Sequence, residues 1–157
     1  MIVITPHKGF TLVEVIITLT LSSLVTIGIS AWGISEYVLA QTRSDKDTIL
    51  TSLLEARAES QNGLCDKNSC TNGAAHGVYF QPTSATLFEG ISFDQRNKEF
   101  DVPFTLSGKG TFYGDTEIVF NAITGNNSKD SSVQYLVGST TNTFLVSMNG
   151  QISYVSL

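Results

Sequence analysis

The longest pattern in the chain is an apolar run from Phe10 to Ile34, broken by a single carboxylate, Glu14, and followed by a stretch, Ala40 to Thr48, that is polar all round. As a helix the run would measure ~37 Å at 1.5 Å per residue, enough to cross a ~30 Å hydrocarbon core with some tilt. Trp32 and Tyr37 stand at its far end, where an aromatic belt would anchor it. No helix breaker follows before Asn62-Gly63, so the pattern predicts one helix of about fifty residues. Past the polar stretch, Ile49, Leu50, Leu53 and Ala56 fall within one arc of the helical wheel, the stripe a helix needs to face a sheet. Arg57 falls inside that arc, with its stem expected along the sheet and its guanidinium in water or paired to an acid. Glu59 is expected on the exposed face.

Beyond Gly63 the period changes to two. Strands are predicted over 77–81, 85–89, 100–106, 117–123, 133–137 and 144–155, separated by turn residues. In the last of these, Asn149-Gly150 divides Phe144–Met148 from Gln151–Val155, a signal for a type I′ hairpin that puts Phe144, Val146 and Met148 on one face. The predicted organisation is therefore a membrane-spanning half-helix over 10–34, an amphipathic half over 35–62, and a β-rich domain over 63–157. The fold class is α+β, a long N-terminal helix packed on an antiparallel β-sheet domain. With 157 residues, about a hundred remain after the helix, which suits one core and leaves no room for a second domain.

Glu14 carries the strongest functional signal. At a bilayer centre an acidic or basic side chain costs about 2.5–3.5 kcal/mol even on lenient insertion scales, so an ionisable residue there is presumed functional and in need of a partner. The bland alternative is an ordinary single-span anchor with a stray acid. The surrounding residues, Lys8-Gly9-Phe10-Thr11-Leu12-Val13-Glu14, resemble the processing signal of type IV prepilins. That resemblance implies a leader over 1–9, cleavage by prepilin peptidase between Gly9 and Phe10, N-methylation of Phe10, and Glu14 as the assembly residue, paired with a Phe10 amine. The spacing agrees, since Phe10 and Glu14 lie about one helical turn apart (~6 Å), and a neighbouring subunit shifted along its axis could offer the same charge. The leader holds one basic residue, Lys8, and the span lacks the proline that many major pilins carry; any kink would come from Gly28 or Gly33.

From Leu53 onward the chain resembles the GspH/FimT branch of minor pilins and pseudopilins. The matching residues are the spine end Leu53 to Ser60, the strand His76-Gly77-Val78-Tyr79-Phe80, the strand Ile118-Val119-Phe120 with Gly125 behind it, and the last hairpin with Gly150. The resemblance implies the type IV pilin fold and a structural subunit of a pilus or a type II secretion-like filament, with a place in its priming or tip complex. Implied partners are other pilins or pseudopilins, contacted through the N-terminal helix, prepilin peptidase, and an inner-membrane assembly platform. The implied location is a single pass through the cytoplasmic membrane, with the C-terminal domain outside the cytoplasm, and then the filament. Flanking charge is silent on orientation, because Arg43 and Lys46 balance Lys8.

The mature-chain chemistry is sparse. Cys65 and Cys70 are the only cysteines, and an even pair in an extracytoplasmic domain reads as a disulfide, worth ~2 kcal/mol for so short a loop. The competing reading, zinc, would need two more ligands, and only His76 and Asp66 stand near. With His7 lost in the leader, His76 is the one remaining histidine, and no Ser/His/Asp or Cys/His arrangement can be built. Asp94, Glu99, Asp101, Asp115 and Glu117 are spread over strand ends. The chain reads as a non-enzyme with no cofactor and no metal. The alternative function, a DNA-binding minor pilin of a competence pilus, meets an acidic balance of 9 Lys+Arg against 14 Asp+Glu. Only Arg96, Lys98 and Lys109 could form a small basic patch, and residues 151–157 hold no basic residue, so the charge pattern argues against nucleic acid as a partner.

Overall fold

The computed structural model describes residues 11–65 and 72–156, with the backbone alone over 28–35. The chain divides into two units, Met1–Ala40 and Gln41–Leu157. One helix, α1 (Leu12–Gln61, 50 residues), contributes to both.

In the first unit the apolar side chains Leu12, Val13, Val15, Ile16, Ile17, Leu19, Leu21, Leu24, Val25 and Ile27 are all exposed. Hydroxyl groups are interspersed among them, and each is satisfied within the helix. Thr18 donates to the Glu14 carbonyl at 3.0 Å, Thr20 to Ile17 at 2.9 Å, Ser22 to Thr18 at 2.7 Å, Ser23 to Thr20 at 2.8 Å and Thr26 to Ser22 at 2.8 Å. Such back-bonding is how hydroxyls are accommodated on a helix facing an apolar medium. The same five residues dilute the hydropathy of the run. Among the described residues no helix is long and apolar enough to cross a membrane; Phe10 and the side chains of 28–35, which complete the predicted span, lie outside them.

In the second unit Ile49, Leu53 and Ala56 are fully buried, and Ser52 is buried with its hydroxyl on the Ile49 carbonyl at 2.8 Å. The helix ends where the sequence stops it. The Leu64 N–H reaches the Glu59 carbonyl at 3.1 Å and the Gly63 N–H reaches Ser60 at 3.2 Å, with Gly63 at φ 62°: a Schellman turn.

The strands are β1 (His76–Gln81), β2 (Ser84–Glu89), β3 (Asn97–Thr105), β4 (Thr111–Gly114), β5 (Glu117–Phe120), β6 (Ser131–Val137), β7 (Thr140–Val146) and β8 (Ile152–Ser156). They form two antiparallel four-stranded sheets, ordered β3-β2-β1-β5 and β4-β6-β7-β8. The helix stripe and the inner faces of both sheets share one core, in which Val78, Leu87, Ile118, Phe120, Val133, Tyr135, Phe144 and Val146 are almost wholly buried.

Three expectations are corrected. Strand β4 went unread because Gly108, Gly110 and Gly114 make its four residues look like a turn. The strand predicted over 117–123 stops at Phe120, since the next residues fold into a tight turn: Thr124 donates to the Ala122 carbonyl at 2.7 Å around Ile123, which sits at φ 66°. That is a γ-turn with a β-branched residue at its strained centre. It is held by the Ile123 N–H, which donates to the Ser60 carbonyl at 2.7 Å and thereby satisfies a helix-end acceptor. Finally, Asn149-Gly150 is not a two-residue type I′ turn. Ser147 accepts from the Gly150 N–H at 2.8 Å and donates its own N–H to the Gln151 carbonyl at 2.9 Å, and only Gly150 of the pair has positive φ, 74°. This is the three-residue loop with a type I turn and a glycine bulge. Met148 consequently leaves the core face and is exposed.

Candidate functional site

Thr11 opens the helix. Its Oγ1 accepts the Glu14 N–H at 3.3 Å and its carbonyl accepts the Val15 N–H at 3.2 Å. Thr-x-x-Glu is the spacing of a capping box, and Glu14 lies in the first turn, where the helix dipole favours a carboxylate. Sequence reasoning treated Glu14 as an anomaly within a span and overlooked this local role, although the Thr11–Glu14 spacing signalled it. The Glu14 side chain is exposed and makes no ion pair among the described residues. Gly9 and Phe10, the residues of the cleavage and methylation reading, lie outside the described residues.

At the other end of the helix, Cys65 follows the Schellman turn and is not a free thiol. Cys70 lies outside the described residues.

Histidine and acid side chains meet where the helix end rests on β1. The His76 N–H donates to Ser60 Oγ at 2.9 Å, Ser60 Oγ donates to the Phe120 carbonyl at 3.0 Å, and His76 faces Glu89 across the β1–β2 ladder. Glu59 Oε2 approaches His76 Nε2 at 3.7 Å. Glu59 is half-buried, which corrects the expectation of an exposed face. Burial raises its pKa, helped by the charges of Glu55 and Glu89, and burial lowers that of His76. Both shifts favour neutral forms, so this contact is not an ion pair near neutral pH. Among the described residues no group of three His, Cys, Asp or Glu side chains could hold a metal ion; Asp66 and Cys70, named in the zinc reading, lie outside them.

The two shifts act oppositely on stability. Neutral His76 contributes stability that is present above the unfolded pKa of 6.5 and lost as pH falls through its lowered folded value; protonated Glu59 contributes stability present below 4.5 and lost as pH rises through its raised folded value. Glu59→Gln is therefore expected to gain stability over the wild type as pH rises from about 4.5, levelling off above the raised pKa. Urea unfolding of both proteins between pH 4 and 8 checks this, and a constant difference across that range would refute it.

Two cations are placed differently from the sequence expectation. Arg57 Nε is buried with no hydrogen-bond partner, close to the Gly150 turn, and the guanidinium forms no ion pair among the described residues. Arg96 is committed within the domain. Its Nε bonds both Asp101 oxygens at 2.9 Å, its Nη1 donates to the Phe93 carbonyl at 2.6 Å, and its guanidinium lies 3.6 Å from the Phe93 ring centre. Phe93 in turn stacks on Tyr79 at 3.9 Å. An arginine spent on closing the outer face of the first sheet is poorly available to a phosphate, which weakens the DNA alternative.

Over residues 4–30 the chain matches the model of the prokaryotic N-terminal methylation motif. No curated protein and no solved structure matches the chain. The motif supports a type IV pilin-like protein, and with it processing by prepilin peptidase and assembly with other pilins. The α+β architecture, a long N-terminal helix with antiparallel sheets, is consistent with a pilin fold.

Proposed function

We propose that this chain is a minor type IV pilin or pseudopilin of the GspH/FimT kind, a structural subunit of a pilus or type II secretion-like filament that acts in its priming or tip complex. The observation that carries the reading is the methylation motif over 4–30, continuous with a helix whose apolar side chains are exposed and whose hydroxyls are satisfied internally. Such a surface calls for lipid before assembly and for other helices after it. In this reading residues 1–9 are the leader, Phe10 becomes the N-methylated terminus, the helix makes a single pass through the cytoplasmic membrane, and the β domain lies outside. No catalytic, cofactor or metal role is assigned to it.

Processing is the direct test. Gly9→Val is expected to leave the leader attached, while mass spectrometry of wild-type membranes should find a chain beginning at N-methyl-Phe10. Assembled material that begins at Met1 would end the pilin reading.

The same location makes Cys65 and Cys70 a disulfide that closes the loop after the helix. Alkylation of envelope protein without reductant is expected to label neither cysteine. Full labelling of both, or zinc bound one to one, would replace the disulfide with a thiol or metal site.

A further inference from the structure

Four strands end the two sheets, and three of them are guarded. Strand β3 carries Lys98, Glu99, Asp101 and Pro103, and its ladder is bulged between Leu87 and Glu89; β4 and β5 are only four residues long. Charge, proline, bulges and shortness are the usual means of keeping an edge from recruiting another strand. Strand β8, Ile152-Ser153-Tyr154-Val155-Ser156, has none of the first three, and it pairs with β7 in unbroken register. The bond from the Ser147 N–H to the Gln151 carbonyl sets the alternation of the ladder, so Ser153 and Val155 turn their backbone groups toward β7, and Ile152, Tyr154 and Ser156 turn theirs to the open edge.

The outer face beside this edge is shaped and charged. Ser132, Leu145 and Ser153 form a row across β6, β7 and β8 and floor an open groove of about 470 Å³ that Asp115 and Asp130 flank. Asp115 is neutralised by Lys129 at 2.6 Å. Asp130 accepts the Met148 N–H at 2.8 Å but faces no cation among the described residues, so the groove keeps one negative charge.

We propose that the free edge of β8 docks an extended, cationic segment of a partner protein, which adds as a fifth strand to the β4-β6-β7-β8 sheet. Backbone groups of Ile152, Tyr154 and Ser156 supply the pairing. A Lys or Arg side chain opposite Ser153 crosses the ~4.8 Å to β8 and runs its stem over Ser153 toward Leu145, so its charge enters the groove that Asp130 flanks. A second copy of this chain fits poorly as occupant, because β8 and its flanks, residues 151–157, have no basic residue to offer the groove. The inference stands independently of the pilin reading.

The test uses the full chain in detergent micelles with a synthetic nine-residue peptide of alternating Thr and Val with a central Arg, and the same peptide with a central Glu. Amide exchange followed by NMR is expected to be fast at Ile152, Tyr154 and Ser156 and slow at Ser153 and Val155. The Arg peptide is expected to protect the first set and to bind about tenfold more tightly than the Glu peptide, a preference that Asp130→Asn removes. Ser156→Pro deletes an outward donor and no backbone bond to β7, losing there only the 3.4 Å hydroxyl bond to Asn142, and Ser153→Lys fills the groove from within; either should weaken the Arg peptide about tenfold. Equal binding of the two peptides, no protection of the outward amides, or protection that rises with protein concentration alone, as self-pairing would give, overturns the proposal.

Discussion

Asp45→Ala is expected to destabilise the C-terminal unit by about 3–5 kcal/mol, because it leaves the buried Tyr135 hydroxyl and two part-buried Ser107 donors without an acceptor. Asp45 is 4% exposed although it lies in the stretch that looks polar all round. Its Oδ1 accepts the Ser107 N–H at 2.9 Å, and its Oδ2 accepts the hydroxyls of Ser107 at 2.5 Å and of Tyr135 at 2.6 Å. Tyr135 is fully buried, and its ring lies against Gly110, where a Cβ would overlap it. Removing the carboxylate strands the tyrosine hydroxyl and the Ser107 groups together. Tyr135→Phe removes one donor and leaves Asp45 two partners, so it should cost only about 1–2 kcal/mol. Burial, with Asp45 beside it, pushes the Tyr135 hydroxyl up to about 12. The raised value means that its contribution is complete below pH 10 and is lost as pH rises toward 12. Denaturant unfolding of the two variants measures the difference; equal losses for both would show that Asp45 does not bind this node together.

The pattern of the chain made the helix, its end at Asn62-Gly63, the stripe Ile49–Leu53–Ala56 and most of the strands legible, because each follows from local periodicity and local stop signals. What it hid was long-range. Asp45 and Thr42 read as a solvated neck, yet Asp45 is buried by Ser107 and Tyr135, 62 and 90 residues away in sequence. The division into two sheets depends on which strands find each other, and β1 skips to β5 while β4 finds β6. Glu59 looked exposed on the helical wheel, but it is half-covered where the helix end meets His76. At the N-terminus the reverse holds: the motif of residues 4–30 is legible in sequence, whereas among the described residues the Glu14 side chain makes no ion pair.

That leaves two physical roles for Glu14, which make different predictions. As a helix cap it works with Thr11, and a capping box accepts Glu or Gln at that position. As an assembly residue it must carry charge, because in a filament core stripped of water its value lies in meeting the Phe10 amine of a neighbour. Losing one partner of such a buried pair costs about 3–5 kcal/mol, at least a hundredfold in recruitment at 1.4 kcal/mol per factor of ten. Under the assembly hypothesis, Glu14→Gln and Glu14→Val are both expected to insert, be cleaved and fold normally, yet to disappear from filaments or from the priming complex in cells lacking the wild-type copy. Thr11→Ala should lose at most about 1 kcal/mol of helix start and still be incorporated. Glu99→Gln, on the exposed edge strand β3, is the neutral control. Quantifying each variant in sheared filaments against its level in membranes separates the roles. Incorporation of Glu14→Gln at the wild-type level would assign Glu14 to capping alone and remove the charge from the assembly mechanism.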